Sequence, residues 1–242
     1  MTPGFDLALY VALPYVSVVV AVVATIERYR RHVYSVTSQS TQFLENRLHF
    51  WALVPFHAGI LVLLVGHLVA FLVPQGVIAW NAAPVRLYAL ETMALAFGLL
   101  ALGGFGAVIV RRVVEPSIRL YTRWIDWVVY LLLFMQIATG VVIAVRYTWG
   151  SSWFAAVASP YLWSLVTLQP ETGALAAMPL VVRAHVAGTW LLLALFPFSK
   201  LVHILMVPNA YLWRAPQVVR WYGLAAAPGG RHDDRFADGH QG

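Results

Sequence analysis

The chain has no cysteine. That absence removes disulfides, thiolate metal sites, cysteine-held iron–sulfur clusters and thioether attachment of a cofactor from its chemistry. Charge is scarce as well: 11% of the 242 residues are Asp, Glu, Lys or Arg, against about a quarter in a soluble domain. Hydrophobic residues make up 61%, so the composition is that of an integral membrane protein. The net charge of +6 does not point to nucleic acid, because the basic residues cluster at the ends of apolar segments. The first apolar run starts at Leu7, follows the acidic Asp6 and has no basic stretch before it, which argues against a cleaved signal peptide. Neither an internal repeat nor a low-complexity core is present.

Five apolar runs are long enough to span a bilayer, at about 7–26, 50–73, 88–110, 124–147 and 179–206. The expected fold is therefore an all-α integral membrane protein of five transmembrane helices. The last run is over-long, which predicts tilt or an extension past the bilayer. Tyr10, Trp51, Trp80, Tyr88, Trp124, Trp127, Tyr147 and Trp213 near the run ends resemble interfacial aromatic belts. Thirteen of the sixteen basic residues fall on one side of a five-helix topology: Arg28, Arg30, Arg31 and Arg47; Arg111, Arg112, Arg119 and Arg123; Lys200, Arg214, Arg220, Arg231 and Arg235. The positive-inside rule then puts the N-terminus outside and the C-terminus in the cytoplasm. The expected division is a membrane domain over 1–224 and a polar, disordered tail over 225–242. The stretch 148–176 reads either as an outer loop with a short interfacial helix or as a mere connection.

Inside these apolar runs sit four histidines, His57 and His67 on the second helix, His185 and His203 on the fifth. A polar ring in hydrocarbon is costly, which makes each a functional-site hypothesis. Depth pairs them: His57 with His203 toward the inside, His67 with His185 toward the outside. Four imidazoles in two depth-matched pairs supply both axial ligands to each of two haem irons, placing two b haems between helices 2 and 5. The axial spacings differ, since ten residues rise about 15 Å and eighteen rise about 27 Å in a helix. On a continuous helix eighteen residues also make close to five turns, pointing both rings of the fifth helix the same way. Pro197 is placed to kink that helix between its two ligands. The competing reading, a proton-coupled membrane protein with a histidine chain and no haem, suffers from scarce intramembrane carboxylates: Glu91 and Asp126 lie near helix ends, and Gln136 is the strongly polar residue in mid-helix. His32, His49, His232 and His240 read as surface residues. Gly59, Gly66 and Gly188 read either as room for a macrocycle or as small-residue helix packing. Arg183 and Lys200, close to the ligands, read as cations for haem propionates or as snorkelling helix-end charges.

The segments FHAGILVLLVGHLVAFLVP and RAHVAGTWLLLALFPFSKLVHILMVP resemble the gamma subunit of respiratory nitrate reductase, a membrane dihaem cytochrome b. Order, histidine spacings, the RxH start and the FPFSKLxH end all carry the likeness, which extends to about Arg220. The resemblance implies a proximal haem on His57 and His203 and a distal haem on His67 and His185. It implies a quinol site on the outer side, at Gly66, His67 and Arg86, with Arg86 standing where the family has a lysine. Arginine keeps the charge but is no ordinary proton shuttle, and Arg86 also reads as an isolated arginine at the outer interface.

The function so implied is oxidation of quinol outside and delivery of electrons to cytoplasmic partners. Those are an iron–sulfur beta subunit and a molybdenum-cofactor alpha subunit, in a bacterial or archaeal cytoplasmic membrane. The alternative complexes are a nitrite oxidoreductase running in reverse or another iron–sulfur reductase. The segment VPNAYLWRAPQVVRWYGL reads as a docking surface for such partners or as a membrane-surface segment.

Overall fold

A computed structural model describes residues 3–31, 47–120 and 122–205. The segment from 206 onward, with Trp213, the docking reading and the tail over 225–242, lies outside the described residues, as does His32. Among the described residues the chain is wholly helical, and five helices are long and apolar enough to cross a membrane. They are α1 (Gly4–Arg31), α2 (Arg47–Leu72), α3 (Pro84–Val114), α4 (Trp124–Arg146) and α5 (Leu180–Leu195), whose span runs on through a 3-10 turn to Phe198.

Local chemistry sets the ends. Pro84 opens α3 and Pro74 opens the short helix Pro74–Asn81, where the missing N–H costs nothing. Glu115 ends α3 in an extended conformation, as the residue before Pro116 should. At the start of α4 the Arg123 N–H donates to Asp126 Oδ2 at 3.0 Å. One π turn, Ala8–Ala12, widens α1 without ending it.

The helices pack in an open arc: α2 on α3, α3 on α4, α4 on α5, and α5 on α1. Along the α2–α3 seam the backbones nearly touch. A Cβ on Gly59 would lie 2.6 Å from Phe97 O, and one on Gly104 would lie 2.5 Å from Phe56 N. Small residues permit this approach, which is how membrane helices gain packing without a hydrophobic drive between them. Ala52, Ala101, Phe105, Val108 and Ile137 form the core on this side. Helices α2 and α5 share no comparable seam, and the space between them is where the histidines sit.

Polar contacts define two ends of the bundle. At the basic end Arg28, closing α1, donates to Pro197 O at 2.5 Å and Ser199 O at 3.0 Å, and Lys200 pairs with the buried Asp126 at 3.0 Å. At the other end residues 150–166 run as linked helical turns across the bundle. Ser159 Oγ donates to Ala70 O at 2.9 Å and Trp163 Nε1 to Phe71 O at 3.0 Å, both on α2. Tyr161 Oη donates to Tyr10 O at 3.0 Å, and Tyr15 Oη to Leu165 O at 3.0 Å, both tying the stretch to α1. The 148–176 region is thus a lid that closes the arc. Burial pushes the Tyr161 phenol up to about 12, which keeps it a neutral donor.

Two expectations are corrected. The fifth run is not one long tilted helix: α5 stops at Leu195, a 3-10 turn covers Phe196–Phe198, Ser199 is extended, and a second 3-10 turn covers Lys200–Leu205. The five-turn phase argument for His185 and His203 therefore fails, and the break falls at Pro197 as its chemistry predicts. Its freed carbonyls are taken up by Ser199 and Arg28. Tyr10 is no belt residue: it is 1% exposed and hydrogen-bonded in the interior. Trp51 and Trp124, at 71% and 75% exposed, do fit a belt.

Candidate functional site

His57 on α2 and His203 on the 3-10 turn after α5 meet at the basic end, with ring centres 6.3 Å apart and planes at 74°. Two metal–imidazole bonds of about 2 Å, plus about 1 Å from each nitrogen to its ring centre, separate two trans ligands by roughly 6 Å. The pair is spaced for one metal between the rings. His67 and His185 lie toward the lidded end and line one cavity of about 1040 Å³ between α2, α3, α4, α5 and the lid. That volume is at the upper end of ligand pockets, about 300–1,000 Å³.

Tautomers carry more information than distance. His57 Nδ1 lies 2.9 Å from Leu53 O, His67 Nδ1 2.7 Å from Leu63 O, and His203 Nδ1 2.7 Å from Lys200 O. A carbonyl only accepts, so each Nδ1 holds a proton, and in the neutral ring Nε2 keeps its lone pair. His185 Nδ1 lies 3.0 Å from Thr139 Oγ1. The Thr139 hydroxyl has Met135 O at 2.7 Å and Gln136 O at 3.0 Å to donate to, which leaves its oxygen to accept from His185. All four rings thus share one tautomer. Among the described hydrogen bonds none engages an Nε2. A second-shell acceptor on one ring nitrogen is the usual arrangement of a metal-binding histidine. Among the described residues no cluster of three or more His, Cys, Asp or Glu could hold a bare metal ion. A planar macrocycle supplies its own equatorial ligands, so two imidazoles suffice, and the donor set fits haem.

Helix α4 positions His185. Gln136 Nε2 donates to His185 O at 2.9 Å and to Thr189 Oγ1 at 2.7 Å, and Thr139 stands one turn on, on the same face. A Cβ on Gly188 would lie 2.5 Å from Gln136 Oε1, so Gly188 serves α4–α5 packing, as Gly59 serves α2–α3. Gly66 meets nothing within 4 Å and lines the cavity. Gly140 also lines it, and a Cβ there would crowd His185 Cε1 at 3.2 Å. Thr139 escaped the sequence reading; its signal is a hydroxyl three residues after Gln136 in an apolar helix.

The remaining predicted residues are spread further. Arg183 is buried, pairs with Asp6 of α1 and stacks over Tyr10 at 5.5 Å. Lys200 faces Asp126. Arg86 is exposed, donates to Ala79 O at 3.4 Å and stacks over Trp80 at 5.3 Å. Of the expected quinol residues, Gly66 and His67 line the cavity and Arg86 lies outside its lining. Glu91 does line it, a residue that sequence reading noted only as lying near a helix end.

Known proteins give this geometry a family. The model of the nitrate reductase gamma subunit matches residues 6–222. The nitrate reductase-like protein NarX of Mycobacterium tuberculosis is 33% identical over 85% of this chain, but the match covers 32% of that protein, so the chain spans about a third of its length. The nitrate reductase gamma chain of Bacillus subtilis is 26% identical, with 86% of this chain and 95% of that one covered. The respiratory nitrate reductase 1 gamma chain of Escherichia coli is 31% identical, with 86% and 93% covered. A histidine-lined helical bundle of membrane-spanning length and a match over most of its residues lead to one conclusion: the chain belongs to the nitrate reductase gamma subunit family.

Proposed function

We propose that the chain is the membrane subunit that oxidises quinol at its lidded end and delivers the electrons at its basic end to soluble partners of a nitrate reductase. The observation that carries this reading is the acceptor held at each Nδ1 of His57, His67, His185 and His203, which in the neutral rings leaves four Nε2 lone pairs for metal ligation at two depths. His57 with His203, and His67 with His185, hold one b haem each. Haems so held would supply one-electron carriage between the two ends.

The chain's own residues do the rest. Leu53 O, Leu63 O, Lys200 O and Thr139 Oγ1 fix the rings. The apolar walls of the cavity keep water from the quinol head group, which is held near Gly66 and His67. Arg86 stacks on Trp80, a residue of the cavity wall, and so brings a positive charge near the cavity. Arg183 and Lys200, already facing Asp6 and Asp126, stand close to the ligands as cations for haem propionates. The concentration of arginine at the basic end supports placing that end in the cytoplasm, with the N-terminus outside, in a bacterial or archaeal inner membrane. The partners are then an iron–sulfur subunit and a molybdenum subunit at the basic end. Protons left outside and electrons delivered inside make the step electrogenic, at about 2.3 kcal/mol per charge per 100 mV.

The test is isolation of the intact complex. Two b-type haems per chain, reduced by added quinol and reoxidised by nitrate, are the expected result. A complex with no reducible haem spectrum would return the histidines to the proton-coupled reading. Nitrite as the electron donor would assign the chain to an oxidoreductase running in reverse.

A further inference from the structure

The cavity wall is almost wholly apolar, and among its lining residues Glu91 is the one carboxylate; no lysine or arginine lines it. The ionisable neighbours in that lining are His67, His185 and Tyr161. Both histidines are committed to ligation under the proposed function, and the Tyr161 hydroxyl is committed to Tyr10 O. Glu91, near the start of α3, is held in one orientation. Its Oε1 accepts from Ser151 N at 2.8 Å and from Ser151 Oγ at 2.5 Å. Asn81 Nδ2, a donor only, lies 2.9 Å from that same Ser151 Oγ and 2.9 Å from Ser152 Oγ. Ser151 Oγ therefore accepts from Asn81 and must send its own proton to Glu91. The turn that presents Ser151 includes Trp149 at φ 72°, a left-handed conformation that is costly for a side-chain-bearing residue and marks a position held by its surroundings. Among the described hydrogen bonds none engages Oε2, and Gly150 leaves room beside it: a Cβ there would lie 3.6 Å from that oxygen. Three residues past Ser151, Phe154 sits edge-on to His67 at 5.0 Å, which links the Glu91 corner to the histidine.

We infer that Glu91 Oε2 is the acceptor that recognises a hydroxyl of a hydroquinone head group in this cavity. The inference rests on the quinol reading of the cavity and names the residue that selects the reduced, hydroxyl-bearing form. Quinone presents only carbonyl acceptors, and an acceptor facing an acceptor is unfavourable. Oε1 saturated by two donors and Oε2 open is the arrangement that discriminates between them. Substitution by glutamine has a defined consequence. The two Ser151 donors demand an oxygen, so the glutamine carbonyl takes the Oε1 place and its NH2 group takes the Oε2 place. The acceptor becomes a donor while size and shape are kept.

The experiment uses the intact complex, held reduced and anaerobic, and reads quenching of cavity tryptophans Trp80 and Trp153 by two probes. One is a short-chain naphthohydroquinone and the other is its dimethyl ether, which lacks the hydroxyl protons. Wild type should bind the hydroquinone about tenfold to a hundredfold more tightly than the ether, the span expected for a charge-assisted hydrogen bond. Glu91→Gln should bring the two within about threefold, with haem content and visible spectrum unchanged. Ser151→Ala, which frees Oε1 and lets the carboxylate turn, should lower the preference severalfold. It decides the question in the same way if Glu91→Gln does not assemble. A wild type without preference, or variants that keep it in full, would overturn the assignment. Failure of the quinol reading shows separately, as a wild-type complex that binds the hydroquinone but whose oxidised haem it does not reduce.

Discussion

The two ends of the bundle hold their histidines by opposite means. At the basic end α5 is broken, and the break is pinned by charge: Arg28 on two carbonyls, Lys200 on Asp126. The histidine rings there stand 6.3 Å apart, and neither His57 nor His203 belongs to the lining of the large cavity. At the lidded end both helices are continuous, the histidines line about 1040 Å³ of apolar space, and the fixing groups are neutral: Thr139, Gln136 and backbone carbonyls. A site that only passes electrons needs fixed ligands and room for its cofactor alone. A site that admits a substrate needs ligands fixed from behind and open space in front. The contrast supports the proposed division, relay at one end and substrate at the other.

The largest effect that breaks this contrast is ligand removal. His57→Ala should lower the haem content from two to one per chain by removing the basic-end haem, and His67→Ala should remove the other. Low-temperature spectra of the two variants then sum to the wild type. Loss of the same haem from both variants would refute the pairing.

Arg28→Ala comes next. It strips a charged donor from Pro197 O and Ser199 O, and charge-assisted bonds of this kind make the loss about 2–4 kcal/mol in total. The expected result is a lower Tm together with a shifted spectrum of the His57/His203 haem alone. An unchanged Tm, or a shift confined to the other haem, would show that the break is held by something else.

These variants also mark what the sequence discloses. Membrane spans are legible because twenty apolar residues in a row have few other uses, and four of the five predicted spans match α1 to α4 within a few residues. That His57 lies near His203, and His67 on the same cavity as His185, is legible because topology alternates depth. The break at Pro197 is legible, but its consequence is not: the partner that holds it, Arg28, lies 169 residues away. Arg183 shows locally only that a histidine follows two residues on; its pairing with Asp6, 177 residues earlier, leaves no sign there. Glu91 carries no motif at all, and its meaning comes from Ser151, 60 residues on. Long-range polar partners leave no periodic trace, whereas apolar faces do.

Gln136→Leu should act only at the lidded end. Hydrogen bonds between membrane helices are worth about 0.6 kcal/mol on average and up to about 1.7, so the expected loss of stability is of that order. Because Gln136 touches His185 O and Thr189, the haem on His67/His185 should shift in midpoint potential and the basic-end haem should not. Equal shifts in both would mean that the two ends are coupled through α5 despite its break.

The smallest effect has the opposite sign. Gly66 sits on α2 with nothing within 4 Å of an added Cβ, whereas Gly59 on the same helix would drive one to 2.6 Å from Phe97 O. Glycine inside a helix costs about 0.5–1 kcal/mol relative to alanine, so Gly66→Ala should raise stability by up to that amount and leave both haems in place. The new methyl stands in the cavity next to His67, so the hydroquinone should bind severalfold more weakly to this more stable protein. Stability and binding moving in opposite directions is the signature of a wall facing a substrate. A loss of stability would instead place Gly66 in a packed seam like that of Gly59, and the difference between the two ends of the bundle would shrink to the charges at the basic end.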